Sequence, residues 1–410
     1  MRPPFVWSCP RQREGMGMRK GTRTTLWIAA GTVAVLVAGV GTLAVLNRPL
    51  SRAEVDEAIQ RRLQDVVAEH ESVSSALFAT YSGRTGRLHR YAAGTVSAGS
   101  DEPVHVDSRF HSASVGKTML AAVYGQLVDE GRVTFDDPVS RWLDAPVLDG
   151  LFVAGRSPDV TLGRLLSHTS GAADYFEGPV VSGSPMIELI TSTPDRLFTP
   201  ADLLAFSRDH QKPTAAPGTA FACSDTGYVL LGLALEAIEG RSYADILERR
   251  VFEPLGMHDS DLLTEYGADA DILAVTARGV DLSTGNAMSV DWAGGGVVTT
   301  TADLVTFMRA FTSAGLVSSD TLARLTAFEH EFEPGIRYGM GVMRFRFSEL
   351  SPLLFTMSDA YGGVGATGTY ALYDPAGDTF FVANYGSLEF GEKAIEELVD
   401  LRLIIDRLAD

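Results

Sequence analysis

Between positions 51 and 72 (SRAEVDEAIQRRLQDVVAEHES) apolar residues recur at Val55, Ile59, Leu63 and Val67 among charged neighbours. That spacing puts them on one stripe of an amphipathic helix. The next stretch, SALFATYSGRTGRLHRYAAGTV, predicts two strands around a glycine-containing turn at Ser82–Gly86. A helix is expected from about Ser114 to Glu130, stopped by Gly131, and another over Gly227–Ile238, ended by Gly240. Residues 150–222 are rich in Pro, Gly, Ser and Thr, which suits an inserted region of short helices rather than a separate fold. A helix over 301–313 follows the glycine-rich AGGGVVTTT, and strand-like segments are expected at 338–347, 354–358, 367–374 and 378–384. The chain closes with a helix over 391–408 that presents Ile395, Leu398, Val399 and Leu403 on one face. Terminal helices and late strands around a mid-chain helical block predict an α/β (α+β) sandwich with an inserted, mostly helical subdomain.

One apolar run has neither period. Leu26 to Leu46 (LWIAAGTVAVLVAGVGTLAVL) contains no charged residue and matches the ~20 residues a helix needs to span a bilayer. Residues 1–48 hold seven basic residues and one acidic, whereas the remainder holds 27 basic and 51 acidic, a net −24. The positive-inside rule then assigns 1–25 to a cytoplasmic basic tail, 26–46 to a transmembrane signal anchor, and 51–410 to an extracytoplasmic domain. The alternative is a secreted protein released by signal cleavage, but the run exceeds the ~7–15 residues of a usual signal core. Residues 1–15 are unlike a usual signal n-region, so Met16 or Met18 competes with Met1 as the true start. Cys9 and Cys223 would lie on opposite sides of the membrane and could not pair, leaving Cys223 a lone thiol.

Composition narrows the function classes. The chain has 410 residues, 45% of them hydrophobic, and a net charge of −18. That acidity argues against a nucleic-acid partner. Two cysteines exclude a disulfide scaffold or a four-thiolate zinc module. His111 and His105 are isolated and no HExxH spacing occurs, so neither metal nor cofactor is expected.

The strongest chemical signal is HSASVGKT, residues 111–118. Ser114 and Lys117 stand three apart at a helix start, so their side chains share a face. A serine hydroxyl needs a neighbouring base, and a buried lysine can serve if its pKa falls. Only four lysines (Lys20, Lys117, Lys212, Lys393) occur against thirty arginines. Retaining Lys at 117 therefore points to a compact or deprotonable amine, which Arg cannot supply. The ending VGKT also suggests a phosphate loop, but that motif needs glycine where His111 stands.

With FHSASVGKT (110–118), LLSHTSGAADY (165–175), PGTAFACSDTGYVLLG (217–232), VFEPLGM (251–257), GGGVVTTTADL (294–304) and GVGATGTY (363–370) in this order, the chain resembles the β-lactamase-related serine hydrolases. These comprise class C β-lactamases, DD-peptidases and their esterase relatives. The resemblance implies their fold, an antiparallel sheet flanked by helices, and an acyl-enzyme formed on Ser114 with help from Lys117. It assigns the oxyanion hole to the N–H groups of Ser114 and Ala366, the latter beside Gly365. The family's Tyr-x-Asn or Ser-x-Asn motif stands here as Cys223-Ser224-Asp225. Cys223 is either a proton relay or a space-filling cysteine, and Ser224 could supply a hydroxyl after a register shift. Asp225 beside Lys117 would favour the charged amine and oppose its use as a base. The family's Lys/His-x-Gly motif stands as Gly363-Val364-Gly365, which removes the usual anchor for a substrate carboxylate.

Other residues have plainer readings. His168 in SHTSG fits a structural turn, with a catalytic role as the alternative. Tyr175 and Tyr361 are candidates for the missing phenol, Trp292 packs a turn, and Phe307, Phe311 and Tyr338 sit at core spacing. The expectation is a membrane-anchored extracytoplasmic serine hydrolase acting on an uncharged ester or peptide-like amide, a small-molecule or peptide-like substrate. The alternatives are an envelope binding protein of the same fold with little turnover, and a β-lactamase or D-Ala-D-Ala carboxypeptidase.

Overall fold

The computed structural model describes residues 48–263 and 271–409. The predicted cytoplasmic tail, the apolar run 26–46 and Cys9 lie outside the described residues. Among those residues no helix is long and apolar enough to cross a membrane.

Five helices frame the site: α1 (Arg52–Glu69), α2 (Gly116–Asp129), α3 (Asp225–Glu239), α4 (Thr301–Thr312) and α5 (Lys393–Ile405). The first begins with a capping box, in which Ser51 Oγ accepts from the Glu54 N–H and the Glu54 carboxylate accepts from the Ser51 N–H. Its buried stripe is Val55, Ile59, Leu63 and Val66. The expected fourth member, Val67, is half-buried, because a step of three after Leu63 keeps the stripe on the core side.

The predicted hairpin is β1 (Ser75–Ser82) and β2 (Arg87–Gly94), turned at Gly86 with φ +68°. The late strands are β3 (His330–Glu333), β4 (Ile336–Tyr338), β5 (Met343–Phe345), β6 (Ala360–Gly365), β7 (Thr369–Asp374) and β8 (Thr379–Asn384). Together they form one sheet of order β2-β1-β8-β7-β6-β5-β4-β3, antiparallel throughout. The first hairpin thus pairs with the last strand, Leu77 opposite Asn384 and Ser82 opposite Thr379.

Both faces of the sheet are covered. On one face α1 and α5 close a core of Val55, Ile59, Phe78, Phe381 and Leu398, and Arg62 is ion-paired to Glu397 across the two helices. On the other face α2, α3 and α4 share a core with the mid-chain block. Leu120 and Val123 of α2 lie in one cluster with Leu162, Leu165, Leu203 and Leu235. The inserted region is therefore part of a continuous core, built of short helices as its composition suggested.

Three expectations change. Segment 338–347 is broken into β4 and β5, with Gly339 donating back to Val342. Segment 354–358 is no strand: its apolar residues follow a helical turn at Phe347–Leu350 and a 3-10 turn at Pro352–Leu354, and Leu353 and Phe355 are 87% and 77% exposed. The real strand is β6, whose AYGGVG carries few residues of high β propensity. In α5 the buried face is Ile395, Leu398 and Leu401, and Leu403 is exposed.

Candidate active site

The nucleophile candidate sits on a strained turn. Ser114 is the middle residue of a 3-10 turn, Ala113–Val115, that runs into α2, and Ala113 before it has φ +46°. Left-handed backbone at a non-glycine residue persists only where its surroundings hold it. Here the Ser112 N–H donates to the Val297 carbonyl at 2.8 Å, and the Ala113 N–H donates to His111 Nδ1 at 3.2 Å. Burial pushes the His111 imidazole down to about 3, so it is neutral and its Nδ1 accepts that bond.

Glycines let other backbone close on this turn. A Cβ on Gly295 would stand 2.3 Å from the Ala113 oxygen, and one on Gly365 would stand 2.9 Å from the Ser114 nitrogen. No side chain fits either gap. This accounts for the glycine-rich AGGG and GVG segments, and it puts the end of β6 directly against Ser114. The Ser114 and Ala366 amides therefore lie on adjoining segments.

All six sequence-predicted site residues meet. Ser114, Lys117, Cys223, Asp225, Gly365 and Ala366 line one cleft that opens to solvent. Lys117 Nζ donates to Ser114 Oγ at 2.8 Å and to the Gly294 carbonyl at 2.9 Å. Asp225 Oδ1 lies 2.5 Å from the same nitrogen, and the Tyr228 ring lies beneath it, its centroid 5.3 Å away. Burial alone would lower the Lys117 pKa, but the carboxylates of Asp225, Asp291 and Asp174 outweigh it and hold the amine above its ordinary value. The amine is thus charged at neutral pH, as the aspartate at position 225 foretold.

Asp225 is placed by its own loop. Ser224 caps α3, its Oγ accepting from the Gly227 N–H at 3.1 Å and donating to the Ala173 carbonyl at 2.8 Å. That hydroxyl is occupied with capping, so no register shift brings it forward. His168, at φ +57°, accepts the Ser224 N–H on Nδ1 at 3.1 Å, while its carbonyl accepts the Ala222 N–H at 2.9 Å. Burial, and then Lys117, hold its pKa well below the usual imidazole value. His168 is the turn residue that positions the Cys223-Ser224-Asp225 triplet. Cys223 itself is half-buried on the cleft wall.

The phenol candidates are engaged elsewhere. Tyr175 donates to the Val290 carbonyl at 2.6 Å, and Tyr361 packs edge-on against Tyr373 and Phe328. Trp292 packs against Tyr243, with ring centroids 5.6 Å apart, and fills the space over Gly232.

Sequence reasoning missed three contributors. Tyr338 lines the cleft and shares a hydrogen bond with the Tyr228 hydroxyl at 3.2 Å. Asp174 and Asp291 line it too, and burial raises both carboxyls to about 7. Asp174 Oδ1 accepts from the Asp225 N–H at 3.3 Å, and Asp291 Oδ2 lies 3.7 Å from His111 Nε2.

The β-lactamase family model matches residues 57–396. Penicillin-binding protein 4 of Amycolatopsis lactamdurans is 33% identical over 273 residues, 64% of this chain and 65% of that one. Esterase EstB of Burkholderia gladioli is 32% identical over 180 residues, 42% of this chain and 43% of that one. The matched regions thus span less than two thirds of either relative. Among solved structures, a D-stereospecific amidohydrolase from Streptomyces sp. superposes with a TM-score of 0.69 at 26% identity, covering 83% of this chain and 97% of that one. The D-amino acid amidase of Ochrobactrum anthropi SV3 shares the fold, with a TM-score of 0.68 at 23% identity, covering 86% and 99%. With a family match across most of its length and a serine–lysine pair in the cleft, the chain belongs to the β-lactamase family of serine hydrolases.

Proposed function

We propose that this serine hydrolase forms an acyl-enzyme on Ser114 from an ester or peptide-like amide, and that residues 26–46 anchor it with the catalytic domain outside the cytoplasm. The observation that carries the chemistry is the Lys117 Nζ donor 2.8 Å from Ser114 Oγ, in a cleft also lined by Ser114 and Ala366.

Because Lys117 is charged, the serine proton goes to the Lys117–Asp225 pair rather than to a free amine. As Oγ attacks the substrate carbonyl carbon, Nζ takes the hydroxyl proton and passes one of its own to Asp225 Oδ1, 2.5 Å away. The carbonyl electron pair moves onto oxygen, where the Ser114 and Ala366 N–H groups receive it. Collapse of the tetrahedral species expels the alkoxide or amine, which takes its proton back through Nζ. Water then repeats the sequence on the acyl ester. A burst of 4-nitrophenol from p-nitrophenyl butyrate, equal in amount to the enzyme, is the direct test; turnover that persists in Ser114→Ala refutes the assignment.

The relatives named as an esterase and an amidohydrolase support ester or amide chemistry. Gly363 weighs against β-lactams and D-Ala-D-Ala termini, since it offers no cation for their carboxylate. The ion pair on Lys117 favours a second reading, a binding protein with slow turnover. A stoichiometric ligand complex that survives Ser114→Ala, with no burst in the parent chain, would establish it.

Two further outcomes are expected. Cys223→Ser keeps or raises esterase activity and Cys223→Ala lowers it by about 10²-fold, as for a proton relay; an unaffected alanine variant would assign the thiol to packing. The anchor predicts that alkaline carbonate leaves the native protein in the membrane pellet, where release into the supernatant would exclude a spanning helix.

A further inference from the structure

The described chain opens at Arg48, two positions after the apolar run 26–46. Two residues reach at most about 7 Å, so an anchor ending at Leu46 brings Arg48 to the surface of the bilayer. Three hydrogen bonds tie that entry point to the end of the chain. Arg407 Nε donates to the Arg48 carbonyl at 3.3 Å, the Leu50 N–H donates to the Arg407 carbonyl at 2.7 Å, and the Ala409 N–H donates to the Leu50 carbonyl at 2.8 Å. The C-terminal end of α5 therefore lies beside the anchor's exit.

Apolar side chains face outward at this same end of the molecule. Leu353 and Phe355 are the most exposed large hydrophobic residues among those described, and Leu403 is 49% exposed. Leu403 stands one turn before Arg407. Leu353 and Phe355 lie on the connection between β5 and β6, and α5 holds that connection on both sides. The Arg402 guanidinium lies over the Phe347 ring, 4.9 Å from its centroid, and donates to the Ser358 carbonyl and hydroxyl, each at 3.0 Å. Both ends of the exposed tip thus rest on α5 within about two helical turns of Arg407. Leu354 folds back against the core that contains Leu50.

Contiguous exposed apolar surface marks a contact. No residue from Leu350 to Ser358 is charged, and the flanking Arg344 and Arg346 are ion-paired with Asp359 and Glu349. An uncharged apolar tip beside the anchor suits the hydrocarbon boundary of a bilayer rather than a charged partner.

We infer that Leu353 and Phe355 insert into the membrane leaflet beside the anchor, with Leu403 at the edge of the contact, giving the domain a second hold on the bilayer. This rests on residues 26–46 spanning the membrane, and it fixes how the domain stands there. The tip leads into β6 at Ala360, whereas Gly365 at the other end of that strand lines the cleft. Five strand steps separate the two ends, roughly 17 Å, so the contact leaves the cleft clear of lipid.

The test uses the full-length chain in phosphatidylcholine vesicles, with Phe355→Trp read against Val181→Trp, an exposed apolar position in the inserted block. Acyl chains brominated near the headgroup quench only indoles that reach them. After subtraction of the parent's emission, the added indole at 355 is expected to be quenched about twofold or more, as for a side chain ~5–10 Å into the interface. The indole at 181 is expected to be unquenched, and equal quenching of the two overturns the inference. Alkaline carbonate on the same vesicles keeps the two readings apart: a chain retained in the pellet with no quenching at 355 loses the tip contact and keeps the anchor. If carbonate releases the chain, the anchor reading fails and flotation decides the tip alone. The parent is then expected to float with vesicles about tenfold more than Leu353→Ser/Phe355→Ser, and equal flotation overturns the contact. A dimer in detergent that the double variant abolishes would assign the tip to a second copy of the chain, which also overturns it.

Discussion

Ser114→Ala is expected to lower p-nitrophenyl butyrate turnover by about 10³-fold or more, the usual result of deleting a covalent nucleophile, while the thermal transition stays in place. Both halves follow from the local structure. The Ser114 hydroxyl has one side-chain partner, Lys117 Nζ, and removing it leaves that nitrogen with Asp225 and the Gly294 carbonyl. No buried charge is stranded by the change. The strained turn is held by backbone and by His111, so alanine at 114 disturbs nothing that maintains it. Circular dichroism and a melting curve beside the kinetics separate chemistry from folding. Retained turnover would mean that another group attacks the carbonyl.

Asp225→Asn is expected to lower kcat at pH 7 by about 10²–10⁴-fold, the range for losing a positioned proton acceptor. The substitution restores the amide usual at this motif position, which makes the expected loss informative. In the parent chain the carboxylate at 2.5 Å keeps Lys117 charged, and in the proposed mechanism it receives the proton that Nζ passes on. In the variant, burial acts on Lys117 against only Asp291 and Asp174, so Nζ loses its proton at a lower pH than before. The remaining activity should therefore rise with pH as the free amine appears, and the rise should come earlier than any alkaline rise in the parent. A variant as fast as the parent at neutral pH would make Asp225 a brake and Lys117 the base. The asparagine is nearly isosteric, and Ser224 still caps α3, so a folding defect is not expected to obscure the comparison.

What could be read before the structure follows the range of each interaction. Ser114 and Lys117 are one helical step apart, so their meeting is local geometry. Asp225 comes from more than a hundred positions away, and its motif alone placed it beside the amine. Asp291 has no such signature: it precedes Trp292 and three glycines, and only the packing of that segment against Ser114 brings it to the cleft. Tyr338 looked like core, and it is buried, yet one side of it faces the same cleft. The strand that carries Gly365 went unrecognised for a related reason. Its glycines are needed for close approach to the nucleophile turn, and they erase the alternation by which strands are recognised. Conversely, the segment 354–358 resembled a strand, although Phe355 projects outward.

The pairing of β1 with β8 sets an order in time. Leu77 meets Asn384 across roughly three hundred positions, a long-range closure of the kind that comes late in folding. As the chain emerges from the ribosome, the first hairpin and the Ser114 turn exist well before Ala366 or β8. Until those last strands arrive, the nucleophile has no oxyanion partner and β1 remains an open sheet edge. Under the proposed mechanism, acyl chemistry would therefore begin only with the completed chain. A product shortened before β8 would carry the serine and lysine of an enzyme on a sheet that cannot close around them.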